Sequence, residues 1–350
     1  MLEKFRIQML KWLKWEFWPF WFFYMPVYVK FLILSAKARS MAFFTAANPL
    51  MEQGGFTDYS KYNVLKHIHS DFLPKTILLS NPTENKTLEQ MRASEIDFPI
   101  ILKPDIGERG FGVEKIDSLK ALTNYFETKK NIGDIILQEF ISYPIELGIM
   151  YSKKNSEISG QISSIVSKQF LAVTGDGASS LGTLISGDKR SKFYLDSLLK
   201  IYAQELEVVL EKNETKELVA IGNHCRGTMF LDYNHLINNN LVRVFDAISK
   251  PIVGYHFGRF DLRVPSIEDL YKGKNIKIME LNGSASEPAH IYDPNMQLSK
   301  AYVHLFAHWQ RLYEISIENH QNGVPYGSAL EIWKAVRQRG KFKKIINNTK

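Results

Sequence analysis

Acidic and amide side chains in the last third of the chain have the spacing of a magnesium site. The stretches FGRFDLRV and IKIMEL predict adjacent strands over 257–264 and 276–281, joined by a short polar segment. On that reading Asp261, Glu280 and Asn282 lie close together at neighbouring strand ends. Their oxygens are ligands that Mg²⁺ or Mn²⁺ favours, and Mg²⁺ usually carries substrate phosphates as well. An exposed acidic hairpin with incidental charges is the alternative interpretation.

A guanidinium group is predicted beside this corner. Arg259 stands two residues before Asp261, and side chains of a strand alternate between its faces, so both project from the same face. An arginine beside a magnesium site stabilises the charge on oxygens during phosphoryl transfer. Arg259 is therefore the candidate catalytic residue.

A glycine-rich loop follows an apolar run at 98–102. Lys103 ends that run, and the loop contains Gly107, Gly110 and Gly112. Glycines let backbone N–H groups approach a phosphate closely, and the lysine supplies a point charge. The loop returns to a strand instead of opening a helix, which excludes a Walker loop and a dinucleotide fingerprint. A simple turn is the alternative.

A third stretch, at 135–151, contains two glutamates seven residues apart. Glu139 ends a predicted strand, and the apolar pair Phe140 and Ile141 follows it. Such a linker can offer backbone groups to the edge of an adenine, and Glu146 can then accept ribose hydroxyls. The alternative is a strand, a turn and a second strand, with Glu146 in solvent.

In order and spacing, these stretches resemble the ATP-grasp superfamily. The order is a lysine with a glycine loop, two glutamates seven residues apart, Arg-x-Asp, and then Glu-x-Asn. The likeness covers roughly 57–300 and is closest to the branch of D-alanine–D-alanine ligase and of glutathione and cyanophycin synthetases. It implies an α+β fold of ATP-grasp type, in which two sheet-bearing lobes clasp ATP.

The resemblance also implies a role for individual residues. Lys61 and Lys103 match the lysines that bind nucleotide phosphates, and Gly110 lies in the loop that closes over them. The other correspondences are Glu139, Phe140 and Ile141 for the adenine hinge, Glu146 for the ribose, Asp261, Glu280 and Asn282 for Mg²⁺, and Arg259 for the transition state that leads to an acylphosphate.

The chain departs from the D-alanine ligase pattern in two places. Arg109 stands where that family has a serine that helps to bind the first D-alanine. Only about 60 residues separate the aromatic N-terminus from the lysine strand, too few for the full substrate-binding domain. These departures argue against D-alanine as the substrate but do not affect the expectation that the chain binds ATP. The connection at 43–56 is a linker or, alternatively, a lining of the acceptor pocket.

A second loop resembles that of cyanophycin-synthetase-like ligases. The segment at 172–185 contains their VTGDG sequence and is either a loop over the substrate or a hairpin turn. Lys168, just before it, is expected to be a solvated strand lysine, with phosphate contact as the alternative.

Composition narrows the range of partners. The single cysteine, Cys225, excludes an intramolecular disulfide and fits a reducing cytoplasm. The net charge of +7 predicts affinity for anions, and both ends of the chain are basic. No motif that reads DNA or RNA is present, so nucleic acid is not an expected partner.

The segment at 11–40 is unusually aromatic. Its uncharged run, 17–29, spans 13 residues, whereas a membrane-spanning helix needs about 20. Tryptophans prefer the headgroup level, and lysines attract anionic lipids, so a peripheral anchor at the membrane interface is favoured. The alternatives are a packing or dimer surface and a true span that continues through 30–36. The tryptophans of this segment are Trp12, Trp15, Trp18 and Trp21.

The organisation that follows has five parts. They are the membrane-interface segment 1–40, a reduced region 41–97, a small lobe 98–150, a large lobe with the Mg²⁺ site 151–322, and a basic tail 323–350. Further helices are predicted at 85–94, 117–130, 191–207 and 298–320, and further strands at 75–79, 218–221 and 242–246.

The predicted activity is that of an ADP-forming ligase that joins a carboxylate to an amine through an acylphosphate. Its expected substrates are small molecules and its cofactors are ATP and Mg²⁺ (or Mn²⁺). A cytoplasmic location on the inner face of the membrane, an envelope precursor as substrate and a homodimer are further expectations. The alternatives are an ATP-grasp phosphotransferase and a nucleotide-binding scaffold without turnover.

Overall fold

Antiparallel sheets form the two lobes of the molecule. The computed structural model describes residues 9, 11–12, 14–57, 59–107, 112–129, 133–219, 227–334 and 337. The strands are β1 (Thr76–Leu79), β2 (Ile100–Pro104), β3 (Glu114–Ile116), β4 (Ile135–Glu139), β5 (Ile145–Ser152), β6 (Gln161–Gln169), β7 (Ala172–Thr174), β8 (Thr215–Glu217), β9 (Met229–Asp232), β10 (Phe257–Val264) and β11 (Lys277–Asn282).

The strands pair in two main sheets and one hairpin. The small sheet has the order β1-β4-β2-β3 and the large sheet the order β11-β10-β5-β6-β9, while β7 pairs with β8. The described α-helices are Phe20–Phe23, Met25–Ala38, Lys61–Leu65, Glu84–Ala93, Leu119–Thr128, Leu181–Gly187, Leu195–Ile201, Asn239–Ser249, Ile267–Lys272 and Leu298–Gln321. The expected α+β fold with two sheet-bearing lobes is confirmed.

The large sheet separates an apolar core from a polar face. Alternate residues such as Ile149, Phe260 and Leu262 are fully buried and pack with the helix Asn239–Ser249. Because side chains alternate along each strand, the intervening residues project from the other face. The residues predicted for chemistry on β10 lie on that second face.

The aromatic N-terminal helices pack along the long helix Leu298–Gln321. Phe23 and Val27 are buried with Leu305, and the Tyr302 hydroxyl donates to the Phe23 carbonyl at 2.9 Å. Leu34 joins a second buried cluster on the same helix. One face of this segment is therefore a packing surface within the protein. Among the residues that the structure describes, no helix combines the length and the apolar character needed to cross a membrane.

One predicted element is wrong. The expected strand at 242–246 lies inside the helix Asn239–Ser249. The Asn238 side chain caps that helix by accepting from the Leu241 N–H, and Leu241, Phe245 and Ile248 are buried at helical spacing. Packing against the sheet, not the β propensity of Val242 and Val244, decides the conformation of this segment.

Other predicted helices and strands are present, but their ends differ from the predicted ones. The strand expected at 218–221 is Thr215–Glu217, and residues 220 and 221 lie outside the described ranges. The helix expected at 191–207 is a 3₁₀ turn followed by Leu195–Ile201, with turns to 207. The polar segment between β10 and β11 contains a short helix, Ile267–Lys272, which Ser266 caps and Gly273 ends with a positive φ of 64°.

Candidate active site

The polar face of the large sheet holds Arg259 and Asp261 side by side. Arg259 Nε donates to Asp261 Oδ1 at 2.7 Å, and Nη2 donates to Oδ2 at 3.0 Å. Gly148 faces them from β5, where a Cβ would lie 3.1 Å from Asp261 Oδ1. The glycine therefore leaves room for the pair. Burial alone would raise the pKa of Asp261, but the charges of Arg259 and Lys168 outweigh it and lower that pKa.

The three predicted metal ligands meet at the β10–β11 pair. Asp261 lies opposite Glu280 and Arg259 opposite Asn282, with a bulge immediately after Asp261. The Asn282 Nδ2 is 3.4 Å from Asp261 Oδ2, and the Tyr59 hydroxyl donates to Asn282 Oδ1 at 3.3 Å. The sequence-based expectation that these side chains lie together agrees with this geometry.

The donor set fits a hard cation. It consists of the carboxylates of Asp261 and Glu280 and the amide of Asn282. Among the described residues, no group of three or more His, Cys, Asp or Glu side chains could hold a metal by itself. A magnesium ion keeps several water or phosphate ligands, so a partial set of protein oxygens suits one bound together with a nucleotide. Asp261 is held ionised by its neighbours, as a ligand must be.

Lys103 points from the small sheet toward β11. Its Nζ donates to Gln138 Oε1 at 2.9 Å and to the Met279 carbonyl at 2.8 Å. The side chain is buried, and burial lowers the pKa of Lys103 to about 8, with the nearby Glu280 acting in the opposite direction. This lysine thus joins the two lobes through Met279, which precedes the predicted metal ligand Glu280.

Lys61 reaches the same cavity from a short helix. Ser60 caps the helix by accepting from the Asn63 N–H, and Asp105 accepts from the Tyr62 N–H at 2.8 Å. Lys61 Nζ donates to the carbonyls of Asp105 and Gly107, at the start of the glycine loop. Both predicted phosphate lysines therefore line one cavity.

The predicted adenine hinge is fixed at both ends. The Lys75 N–H donates to Glu139 Oε2 at 3.1 Å, and the Glu139 N–H donates to the Lys75 carbonyl at 2.9 Å. The Ile141 carbonyl accepts from Arg263 at 2.6 Å, and the Phe140 ring lies 4.7 Å from the ammonium of Lys115.

Glu146 is buried between two cations, not solvated. Arg263 Nε donates to Glu146 Oε2 at 2.9 Å, and Lys168 lies 3.1 Å from Oε1. Lys168 also lies 3.4 Å from Asp261 Oδ2, so it links the predicted ribose residue to a predicted metal ligand. The expectation of a solvated Lys168 is wrong, because the sheet places the carboxylates of Glu146 on β5 and Asp261 on β10 beside it.

Arg263 was missed by sequence reasoning. It contacts both Glu146 and the hinge, and it follows Arg259 and Asp261 with the same spacing of two residues on β10. That repeated spacing is the signal that could have found it. Gly110, Arg109 and Cys225 lie outside the described residues.

A cavity of about 980 Å³ unites these groups. One end is polar and contains both predicted phosphate lysines, the predicted hinge, Arg259 and the predicted metal ligands. The other end is apolar. Its walls come from the N-terminal helices and the long C-terminal helix, which sequence reasoning missed, and from the 43–56 connection, for which lining a pocket was the alternative expectation. Its apolar walls include Trp15, Trp18, Phe20, Phe23, Tyr24, Val27, Tyr28, Phe31, Phe44, Phe56 and Trp309.

A smaller cavity of about 500 Å³ shares Glu139, Phe140 and Ile141 but contains none of the predicted metal ligands. The larger cavity is therefore the candidate active site, since it alone of the two joins the hinge to the phosphate lysines.

Glu287 lies at the junction of the polar and apolar ends. Its carbonyl accepts from Arg259 Nη1 at 3.3 Å, and its Oε2 accepts from the Tyr292 hydroxyl at 3.2 Å. Its Oε1 is buried and has no hydrogen-bond partner within the described ranges. Burial raises the pKa of Glu287 to about 7, whereas burial lowers the pKa of the neighbouring cavity residue His308 to about 3.

Comparisons with known proteins give structural likeness only. No model of a protein family and no curated protein matches the chain. Among solved structures it is similar to D-alanine–D-alanine ligase from Bacillus anthracis, with 14% identity and a TM-score of 0.43, covering 79% of this chain and 72% of that one.

Two further solved structures show comparable likeness. VanG D-Ala:D-Ser ligase from Enterococcus faecalis has 13% identity and a TM-score of 0.40, covering 75% of this chain and 62% of that one. A RimK domain ATP-grasp protein from Sphaerobacter thermophilus has 10% identity and a TM-score of 0.38, covering 75% and 68%. These TM-scores are below 0.5, so the functional proposal rests on the residues of the site. In the order of its motifs and in its two sheet-bearing lobes, the chain resembles the ATP-grasp ligases.

Proposed function

We propose that this protein is an ATP-dependent ligase that joins a carboxylate to an amine and releases ADP and phosphate. The supporting observation is the convergence of two buried lysines, Lys61 and Lys103, with the Asp261, Glu280 and Asn282 corner in one cavity. Cations from one side and oxygen ligands from the other are what a nucleotide triphosphate with Mg²⁺ requires.

The nucleotide would lie along the polar end of the cavity. The backbone around Phe140 and Ile141 faces the adenine, and the lysines neutralise the phosphates. The buried Glu146 serves the ribose in this proposal, with Arg263 and Lys168 holding its carboxylate in place. Mg²⁺, held by Asp261, Glu280 and Asn282, would supply charge neutralisation at the terminal phosphates.

Arg259 is placed to assist the first chemical step. A substrate carboxylate oxygen attacks the γ-phosphorus, the bond to the β-phosphate oxygen breaks, and an acylphosphate and ADP result. The guanidinium lies beside Asp261 and lines the cavity, where it can stabilise the charge that develops on the transferred oxygens.

The second step forms the amide. The neutral amine attacks the acyl carbon, the carbon–oxygen bond to phosphate breaks, phosphate leaves with the electron pair, and the nitrogen loses a proton. No protein nucleophile is needed, so the side chains act by binding and by orientation.

Product analysis tests the proposal. We expect ADP release to require both a carboxylate and an amine, and mass spectrometry of a cell extract incubated with the protein and ATP to show a new amide. A stable phosphate ester in place of the amide would instead assign a phosphotransferase, and binding of ATP without any product would assign a scaffold.

ATP use should depend on pH through Lys103. Because burial lowers the pKa of Lys103 to about 8, the ammonium is protonated below that pH and loses its charge above it. We expect kcat/KM for ATP, which reports groups of the free enzyme, to fall as pH rises through about 8. A Lys103→Met variant should show a low value without that inflection. An unchanged inflection in the variant would show that another group titrates.

We also propose that the outer side of the N-terminal helices contacts an anionic membrane from the cytoplasm. While the inner side lines the cavity, the outer side exposes large apolar residues, which we call the outer apolar face. This pattern is typical of an interfacial helix that lies in the membrane surface. The face consists of Trp21, Met25, Val29, Leu32 and Ile33.

The triple change Trp21→Ser, Val29→Ser and Leu32→Ser should lower partitioning onto phosphatidylglycerol vesicles at least about tenfold, because it removes apolar surface that inserts. Co-sedimentation measures the effect. The matched control, Ile158→Ser with Val253→Ser, changes exposed apolar residues elsewhere and should partition normally. If vesicle binding persists in the triple variant while light scattering shows a dimer becoming a monomer, the face is a homodimer contact.

A further inference from the structure

The apolar end of the large cavity lies beyond the residues that we assign to ATP. It opens from the catalytic corner at Ser284 and Glu287 and continues between the N-terminal helices and the helix Leu298–Gln321. Phe23 stacks on Trp15 at 5.1 Å between ring centroids, and Tyr292 lies 6.0 Å from Trp15. A nucleotide would occupy the lysine end, so this end is available to the second or third reactant.

Charge distinguishes the two possible occupants, an acid and an amine. The cations of the cavity gather at the nucleotide end, where Arg259, Arg263 and Lys168 each contact a carboxylate. Glu287 stands at the entrance to the apolar end, with its Oε1 buried and unpartnered among the residues that the structure describes. A buried carboxylate oxygen without a donor is costly unless a ligand supplies one.

The position of Glu287 suits the incoming nucleophile. Its backbone contacts Arg259, and its side chain is oriented by Tyr292, whose ring belongs to the aromatic wall. A carboxylate placed there would meet an acidic group, whereas a protonated amine would find a partner. An apolar chain attached to that amine would lie against Phe20 and Tyr28, which line the cavity.

We propose that the apolar end of this cavity is the subsite for the amine substrate, and that this substrate is an amphiphile: a primary amine with an extended apolar tail. Glu287 binds the ammonium group and accepts one of its protons before the neutral amine attacks, and the inner side of the N-terminal helices binds the tail. The inference rests on the proposed ligase function, since it assigns one reactant of that reaction. It also gives the N-terminal segment a second task besides contact with a membrane.

Binding of simple alkylamines tests the subsite. With the full-length protein, isothermal titration of butylamine, hexylamine and octylamine should show affinity rising about fourfold per methylene, or about 250-fold across the series. Octanoate, which has a similar tail and the opposite charge, should bind at least about tenfold more weakly than octylamine. Equal affinity along the amine series, or tighter binding of octanoate, would overturn the proposal.

Matched variants separate the head from the tail. Glu287→Gln should weaken the binding of octylamine at least about tenfold and should not weaken the binding of octanoate. The melting temperature should not fall, because the substitution removes a buried charge. Phe20→Ala should weaken octylamine and leave butylamine unchanged. Trp21→Ala is the control, since Trp21 is 62% exposed on the outer apolar face. Loss of octylamine binding in Trp21→Ala equal to that in Phe20→Ala would place the tail outside the cavity and contradict the proposal.

These outcomes are distinguishable from failure of the ligase function. If ADP release requires both an acid and an amine but the affinity for alkylamines does not depend on tail length, the ligase function stands and the proposed subsite is wrong. If binding of alkylamines depends on tail length and charge but no amide product forms, the subsite stands and the proposed ligase function is wrong.

Discussion

Replacing Asp261 by asparagine should lower kcat/KM for ATP by at least about 10³-fold, because the change removes the central carboxylate of the proposed metal site. It also leaves Arg259 and Lys168 without their shared anion. Since removing one partner of a buried ion pair typically costs about 3–5 kcal/mol, a lower melting temperature is expected as well.

Glu280→Gln separates these two effects. Glu280 lies opposite Asp261 on the next strand and is only partly buried, so its replacement should leave the melting temperature nearly unchanged. We expect a similar loss of activity, measured as ADP release at saturating Mg²⁺. Glu268→Gln, on an exposed helix, is the control and should be fully active. Full activity of Glu280→Gln would remove Glu280 from the metal site.

The second large effect is expected at Lys103. Lys103→Met keeps the length of the side chain but removes the ammonium that bridges Gln138 and the Met279 carbonyl. We expect kcat/KM for ATP to fall about 100-fold, since a charged hydrogen bond to a phosphate contributes about 1.5–3 kcal/mol. Isothermal titration of an ATP analogue should show the same loss.

Lys120→Met provides the comparison for that variant. Lys120 is exposed on the helix Leu119–Thr128 of the same lobe, so its change should alter neither ATP affinity nor turnover. Should Lys103→Met bind the nucleotide as tightly as the unaltered protein, the assignment of Lys103 to the phosphates would be wrong.

Local sequence patterns predicted the strands of the site well. FGRFDLRV alternates apolar and polar residues, and β10 has the predicted bounds, with Arg259 and Asp261 on one face. The same alternation of side chains places Arg263, two residues after Asp261, on that face as well. Local pattern could not show the partner of each charge, because Lys168 meets Glu146 and Asp261 only after β6, β5 and β10 pair.

The apolar end of the cavity was beyond local reasoning for the same reason. The aromatic segment at 11–40 was interpreted by its composition, which indicates apolar burial but does not identify what covers it. In the structure one side packs on a helix almost 280 residues later, as in the bond from Tyr302 to the Phe23 carbonyl, and the other side is exposed. The strand expected at 242–246 failed likewise, since tertiary packing overrides β propensity.

A crystal structure of the protein with Mg²⁺ and a non-hydrolysable ATP analogue tests the central claim most directly. We expect the metal within about 2.0–2.1 Å of oxygens from Asp261, Glu280 or Asn282, with Lys61 and Lys103 against the phosphates. A nucleotide bound in the smaller cavity, or phosphates distant from both lysines, would contradict the account.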